Sequence, residues 1–181
     1  IFLNLSAAGT TNWGFFLKKT LYGVKRLDDY LIQENDQDAV VIRYGEVILN
    51  LAEAAVELST YGVNDYLAVA QVAFDLLRSI HGGLPAKTMD LEVVRHERRI
   101  DLMYEGFRYW DLRRWRLAGE VIDGKQAHGT KITKKDDNSY TYEQVSCDDN
   151  INRFFPERYY LLPIPVDELQ NNPLCENNAP W

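Results

Sequence analysis

Residues 97–115 read ERRIDLMYEGFRYWDLRRW, a stretch dense in charge and in aromatic side chains at once. Leu91, Val94, Leu102, Tyr109 and Leu112 recur at helical spacing around it. That period predicts a helix starting near Asp90 and running toward Ala118, with a break at Gly106. Arg98, Asp101 and Glu105 project from the same apolar face, and beyond residue 102 Met103, Tyr104, Phe107 and Trp110 make the other side apolar too. A helix of that kind is expected to be buried nearly all round. Charges placed inside an apolar stripe have to be paired, because an unpaired buried charge costs several kcal/mol. Glu97, Asp101 and Glu105 step by four, and Arg98–Asp101 and Glu105–Arg108 are spaced for i,i+3 pairs.

Upstream, Val40, Tyr44, Val47, Ile48, Leu51, Ala55 and Leu58 share one side of a 3.6-residue period, with Glu46, Asn50, Glu53 and Glu57 opposite. This predicts a first helix of about five turns, stopped by Gly62. A second helix is expected from Asn64, as N-cap, to Ile80, with Tyr66, Ala70, Ala73, Leu77 and Ile80 as its stripe and Gly82–Gly83 as its end. The short connection makes the two helices antiparallel neighbours, a hairpin of tetratricopeptide-like size. Glu46 and Glu53 are placed to offer further partners to the charges of the third helix.

The flanks are less patterned. Residues 1–38, with Trp13, Phe15 and Phe16 among Gly and Thr and an acidic run from Asp28 to Asp38, read as an irregular lead-in to a helical core over 40–118. Residues 120–157 are polar and read as a long loop or a β-hairpin through Tyr140 and Tyr142. Residues 158–166 look strand-like until Pro163 and Pro165 break them, and Asn171–Trp181 reads as an extended tail. The expectation is one mainly α domain over 1–181: a helical hairpin, a long buried third helix and short β or irregular segments.

Composition sets bounds. With 181 residues, 46% of them hydrophobic, and 4 Trp, 11 Tyr and 7 Phe, the chain can bury a sizeable core. The formal net charge of −7 argues against wrapping nucleic-acid phosphate and suits a neutral ligand. No apolar run reaches the ~20 residues that span a bilayer. Cys147 and Cys175 are too few for a disulfide framework, although an exported chain could pair them.

Each chemical signal has a plainer counterpart. Two of the carboxylates on the third helix could serve as acid and base, but no nucleophile, metal set or phosphate loop accompanies them. The pattern of Glu46, Glu53, Glu97, Arg98, Asp101, Glu105 and Arg108 reads instead as a structural ion network. His96–Glu97 opens like HExxH, yet Ile100 stands where the second histidine is needed, and His81 and His128 lack ligand spacing. Asp148, Asn150 and Asn152 alternate like a calcium loop without its Gly and closing Glu. Arg113, Arg114, Trp115 and Arg116 read as a helix C-terminus with arginines on aromatic rings. No metal site and no cofactor is expected. Trp13, Tyr140, Tyr142 and Trp181 are the candidates for stacking on sugar rings, whose C–H faces are apolar.

Taken together, three blocks resemble the C-terminal region of the SusD/RagB family: VIRYGEVILNLAEA (Val41–Ala54), ERRIDLMYEGFRYWDLRRW (Glu97–Trp115) and YYLLPIPVDELQNNP (Tyr159–Pro173), in the family's order and at sensible spacing. The resemblance covers about residues 40–181. It departs where Asp75 stands for the usual Asn and Ile80–His81 for the usual Arg-Ala pair. It implies a non-enzymatic lipoprotein of the outer-membrane surface, anchored by a lipidated cysteine outside this segment. Such a protein captures a glycan or other nutrient for a TonB-dependent SusC-like transporter. The matched blocks resemble the family's scaffold, so no binding residue carries over. Two other classes stand beside this reading: a helical adaptor binding proteins through its tetratricopeptide-like hairpin, and a small hydrolase using Glu97 or Glu105.

Overall fold

The computed structural model describes residues 40–147 and 149–181, together with the backbone of two short N-terminal strands, β1 (Phe2–Leu3) and β2 (Phe15–Phe16), paired antiparallel. The chain forms two compact units. One spans residues 38–108; the other holds residues 109–181 and the N-terminal strands. The architecture is mainly α, as the periodicity predicts.

The first unit is a three-helix assembly. Helix α1 (Tyr44–Thr60) packs on α2 (Leu67–Gly82) and on α3 (Leu91–Asp101). Ile48, Leu49, Ala52, Val56, Phe74, Leu77, Val94 and Leu102 form its core, in which Leu49, Phe74 and Val94 are fully enclosed. The glycine signals act as expected. Gly62, just past α1, and Gly83, just past α2, both have positive φ, a conformation that costs glycine nothing. Asp90 caps α3, its carboxylate accepting from the Val93 N–H at 2.7 Å.

Other expectations need correction. Helix α1 starts at Tyr44, and Val40, Val41 and Ile42 lie exposed before it. Of the predicted stripe, Ile48 and Ala55 are buried. Tyr44, Val47, Leu51 and Leu58 are exposed, whereas Leu49, Ala52, Val56 and the supposedly outward Glu53 are buried. The polar side expected to face outward instead meets α3, where Asn50 accepts from Arg98 and Glu57 pairs with Arg95. In α2, Phe74 is the enclosed anchor, while Tyr66 and Ile80 of the predicted stripe are exposed. Asn64 does not cap α2: its carbonyl accepts from Leu67 N–H within a turn that precedes the helix.

The span of the expected third helix holds two helices, divided at the expected Gly106 break, and a further short helix follows it. After α3, residues 102–106 turn, with Tyr104 at φ 67° and Gly106 at φ 84°. Then come α4 (Phe107–Arg114) and, past Arg116 at φ 58°, α5 (Ala118–Ile122). The predicted all-round burial fails with it, since Tyr104 and Trp110 are more than half exposed. Tyr104, Gly106 and Arg116, all at positive φ, interrupt the helical path, so residues that would share a face on one helix diverge.

In the second unit Leu112, Ala118 and Phe155 form a small core, with Tyr159 and Tyr160 packed against it. A hairpin, β3 (His128–Lys134) and β4 (Tyr140–Ser146), occupies the polar region, with Tyr142 opposite Ile132 and Tyr140 opposite Lys134. No strand forms at 158–166. Glu157–Tyr160 is a 3-10 turn, and α6 (Val166–Asn171) follows the two prolines. Pro163 and Pro165 cannot donate to a ladder, and Asn side chains do the pairing instead: Asn177 Oδ1 accepts from Ile164 N–H and Asn178 Nδ2 donates to Leu162 carbonyl. The tail folds back rather than extending freely. Cys147 and Cys175 are free thiols.

Candidate functional site

The charges at the end of α3 and in the turn after it are organised by Arg43, a residue outside the expected network. Arg43, at the N-cap position of α1, donates through Nη2 to the Asp101 carboxylate at 2.5 Å and to the Asp101 carbonyl at 2.7 Å. Its Nε donates to Glu105 at 2.7 Å. The other Asp101 oxygen lies 2.7 Å from His81 Nδ1 in the last turn of α2. One carboxylate therefore ties the start of α1 to the ends of α2 and α3. Burial acts to push the Asp101 carboxyl up, but the bonds from His81 and Arg43 outweigh it and hold it below the usual carboxylate range. Burial likewise acts to lower Arg43, and its two acids more than compensate. Gly45 lies beside this junction, where a Cβ would press on the Arg43 guanidinium and stand 3.1–3.2 Å from His81 and Asp101.

Deeper in the unit, buried Arg78 pairs with buried Glu97 and also donates to the Pro85 carbonyl at 3.1 Å. Arg98, only 4% exposed, donates to Asn50 at 2.7 Å and lies over the Phe107 ring. Arg95 pairs with Glu57 at 3.3 Å. Of the residues expected in the network, Glu97, Arg98, Asp101 and Glu105 join these contacts, Glu53 is buried and Arg108 is half-buried. Glu46 makes no ion pair among the described residues. Arg43, Arg78 and His81 were not anticipated; charged residues on the inner turns of α1 and α2 were the signal available for them.

Chemically, this arrangement neutralises acids. Glu97 faces Arg78, and Asp101 and Glu105 share Arg43. A hydrolytic pair needs two carboxylates facing a common substrate position. Among the described residues, no three His, Cys, Asp or Glu side chains are grouped to hold a metal ion. Asp148, the first residue of the calcium-like run, lies outside the described residues.

The sugar-stacking candidates separate. Trp13 lies outside the described residues. Trp181 stacks on Tyr159 with centroids 5.7 Å apart and planes 6° from parallel. The Arg158 guanidinium lies 4.8 Å from the Trp181 ring centre, and its indole N–H donates to the Arg158 and Leu161 carbonyls. That ring is committed to closing the chain end. Tyr140 and Tyr142 remain open on the hairpin, 38% and 64% exposed. The basic aromatic cluster is internally stacked: Arg113 over Tyr109 and Trp110, Arg114 over Trp115, Arg116 over Tyr160.

The model of the family described as SusD family matches residues 4–181. This chain belongs to the SusD family. A solved structure named BT4246 shares the fold, with a TM-score of 0.62 and 22% identity over 80% of this chain. The chain spans 24% of the length of that structure. No curated protein matches it.

SusD-family members are binding proteins rather than enzymes, which agrees with acids neutralised by arginines. The family departures have local consequences. Asp75 accepts from Lys87 N–H at 2.9 Å and from Gln71 Nε2 at 3.0 Å, and Gln71 in turn bonds Lys87 carbonyl and Met89 N–H. An Asn at 75 has one carbonyl acceptor, so it could not take both bonds through separate oxygens. His81 supplies one of the side-chain contacts of Asp101. No helix among the described residues is long and apolar enough to cross a membrane.

Proposed function

We propose that residues 1–181 are the C-terminal domain of a longer, non-enzymatic binding protein that captures a glycan or other nutrient at the bacterial outer-membrane surface. The protein is held there by a lipid anchor outside this segment and passes its ligand to a TonB-dependent SusC-like transporter. Membership of the SusD family over residues 4–181 carries this reading. The pairing of Glu97 with Arg78 and of Asp101 and Glu105 with Arg43 supports it, because it assigns the acids to holding helices together. No cofactor enters the scheme.

The test uses the full-length protein. Affinity gels loaded with plant, starch-like and host polysaccharides should retard it, and reducing-end assays on the same polysaccharides should stay at background. Reducing ends that appear with the wild type and vanish on Glu105→Gln would overturn the binding-only reading. Indifference to every saccharide combined with retention by immobilised helical peptides would favour the adaptor class.

A further inference from the structure

The hairpin β3–β4 offers an observation that fold maintenance leaves unexplained. None of its strand residues is buried. Its two tyrosines therefore do no core work, although aromatic side chains usually enter a fold to be buried. Tyr140 and Tyr142 are two residues apart on one strand and so emerge on the same face, about 7 Å apart along it. The cross-strand register completes that face with Lys134 opposite Tyr140, Ile132 opposite Tyr142, and Thr130 opposite Gln144. The tyrosine face thus holds one open ring, Tyr142, a second, Tyr140, that is 38% exposed, and an apolar floor at Ile132. Its rim is Thr130, Gln144 and Lys134, with the His128–Ser146 pair at the far end of the strands and no acid on the face. The opposite face is different in kind, with Lys131 paired to Glu143 at 4.0 Å and Thr133 opposite Thr141.

We propose that the Tyr140–Tyr142 face is a stacking platform for a neutral oligosaccharide, an inference that rests on the glycan-binding reading above. The chemistry selects that occupant. Rings spaced along a strand meet the C–H faces of successive sugar units, and Thr130, Gln144 and Lys134 can bond to sugar hydroxyls. An apolar peptide helix would require a continuous groove, and the polar rim interrupts one. A basic ligand would meet Lys134 and no acid.

The test compares full-length wild type with three variants by calorimetry against maltohexaose, cellohexaose, xylohexaose and mannohexaose. Tyr140→Leu/Tyr142→Leu keeps an apolar cross-strand pair with Ile132 but removes both aromatic faces. It should weaken the best wild-type saccharide about tenfold or more. Tyr140→Phe/Tyr142→Phe should bind within a few-fold of wild type, and Lys131→Ala on the opposite face should bind as wild type. Wild-type binding that the Leu pair leaves unchanged would overturn the platform and leave the glycan reading intact. Equal losses in the Leu pair and in Lys131→Ala would assign the effect to the hairpin's fold and also overturn it. A wild type that binds none of the four would count against the glycan reading and the platform together.

Discussion

At the scale of single residues, the decisive feature is how each buried charge is matched. Arg98 is enclosed, bonded to Asn50 and stacked on Phe107. Arg98→Ala removes the guanidinium and its packing together, and breaking a buried charged contact costs about 3–5 kcal/mol. Urea denaturation should therefore show a loss of several kcal/mol. A melting temperature within a degree of wild type would mean that Arg98 is solvated in the protein. Asp101 carries the pH dependence. Its folded pKa is depressed, so its stabilisation is complete above the unfolded value of about 4 and is lost as pH falls through the folded value. Denaturation midpoints measured from pH 6 down to pH 3 should fall, and Asp101→Asn should flatten part of that fall. Parallel curves for the two proteins would remove Asp101 from the acid response. The acids of this junction were legible in sequence because they recur at helical spacing. Arg43 and His81 were not, because each comes from another element and meets Asp101 only through the packing of α1 and α2 on α3.

Elements show where periodicity suffices and where it fails. Helices α1 and α2 and their glycine stops follow from composition and spacing. The face of α1 does not: its polar side, which by pattern marks the outside, is turned to α3, where Asn50 and Glu57 bond Arg98 and Arg95 and Glu53 is buried. In the third helical region the break at Gly106 follows from its glycine, while the left-handed conformations of Tyr104 and Arg116 are ones no propensity foretells. The hairpin stands at the other extreme. Without a buried residue its strands depend on local pairing, and isolated hairpins are marginal. Hydrogen exchange should accordingly exchange the β3–β4 ladder amides orders of magnitude faster than those of α1 around Leu49 and Ala52. Equal protection would show that something else covers the hairpin in the full-length protein.

For the molecule as a whole, the sequence determined its family and its mainly α class. Three ordered blocks with a net charge of −7 suffice for that, since each block records the local propensity and charge spacing of its own segment. Family membership did not determine which aromatic side chains remain available for a ligand. Trp181 and Tyr142 are equally plausible in sequence, yet Trp181 is stacked on Tyr159 and Arg158 while Tyr142 stands open. Nor did it determine that one carboxylate, Asp101, joins three helix ends. Both outcomes depend on residues 20 to 58 positions apart being brought within bonding distance. A local pattern specifies what each segment can bury, and only the packing of segments on one another decides which side chains are used up and which are left free.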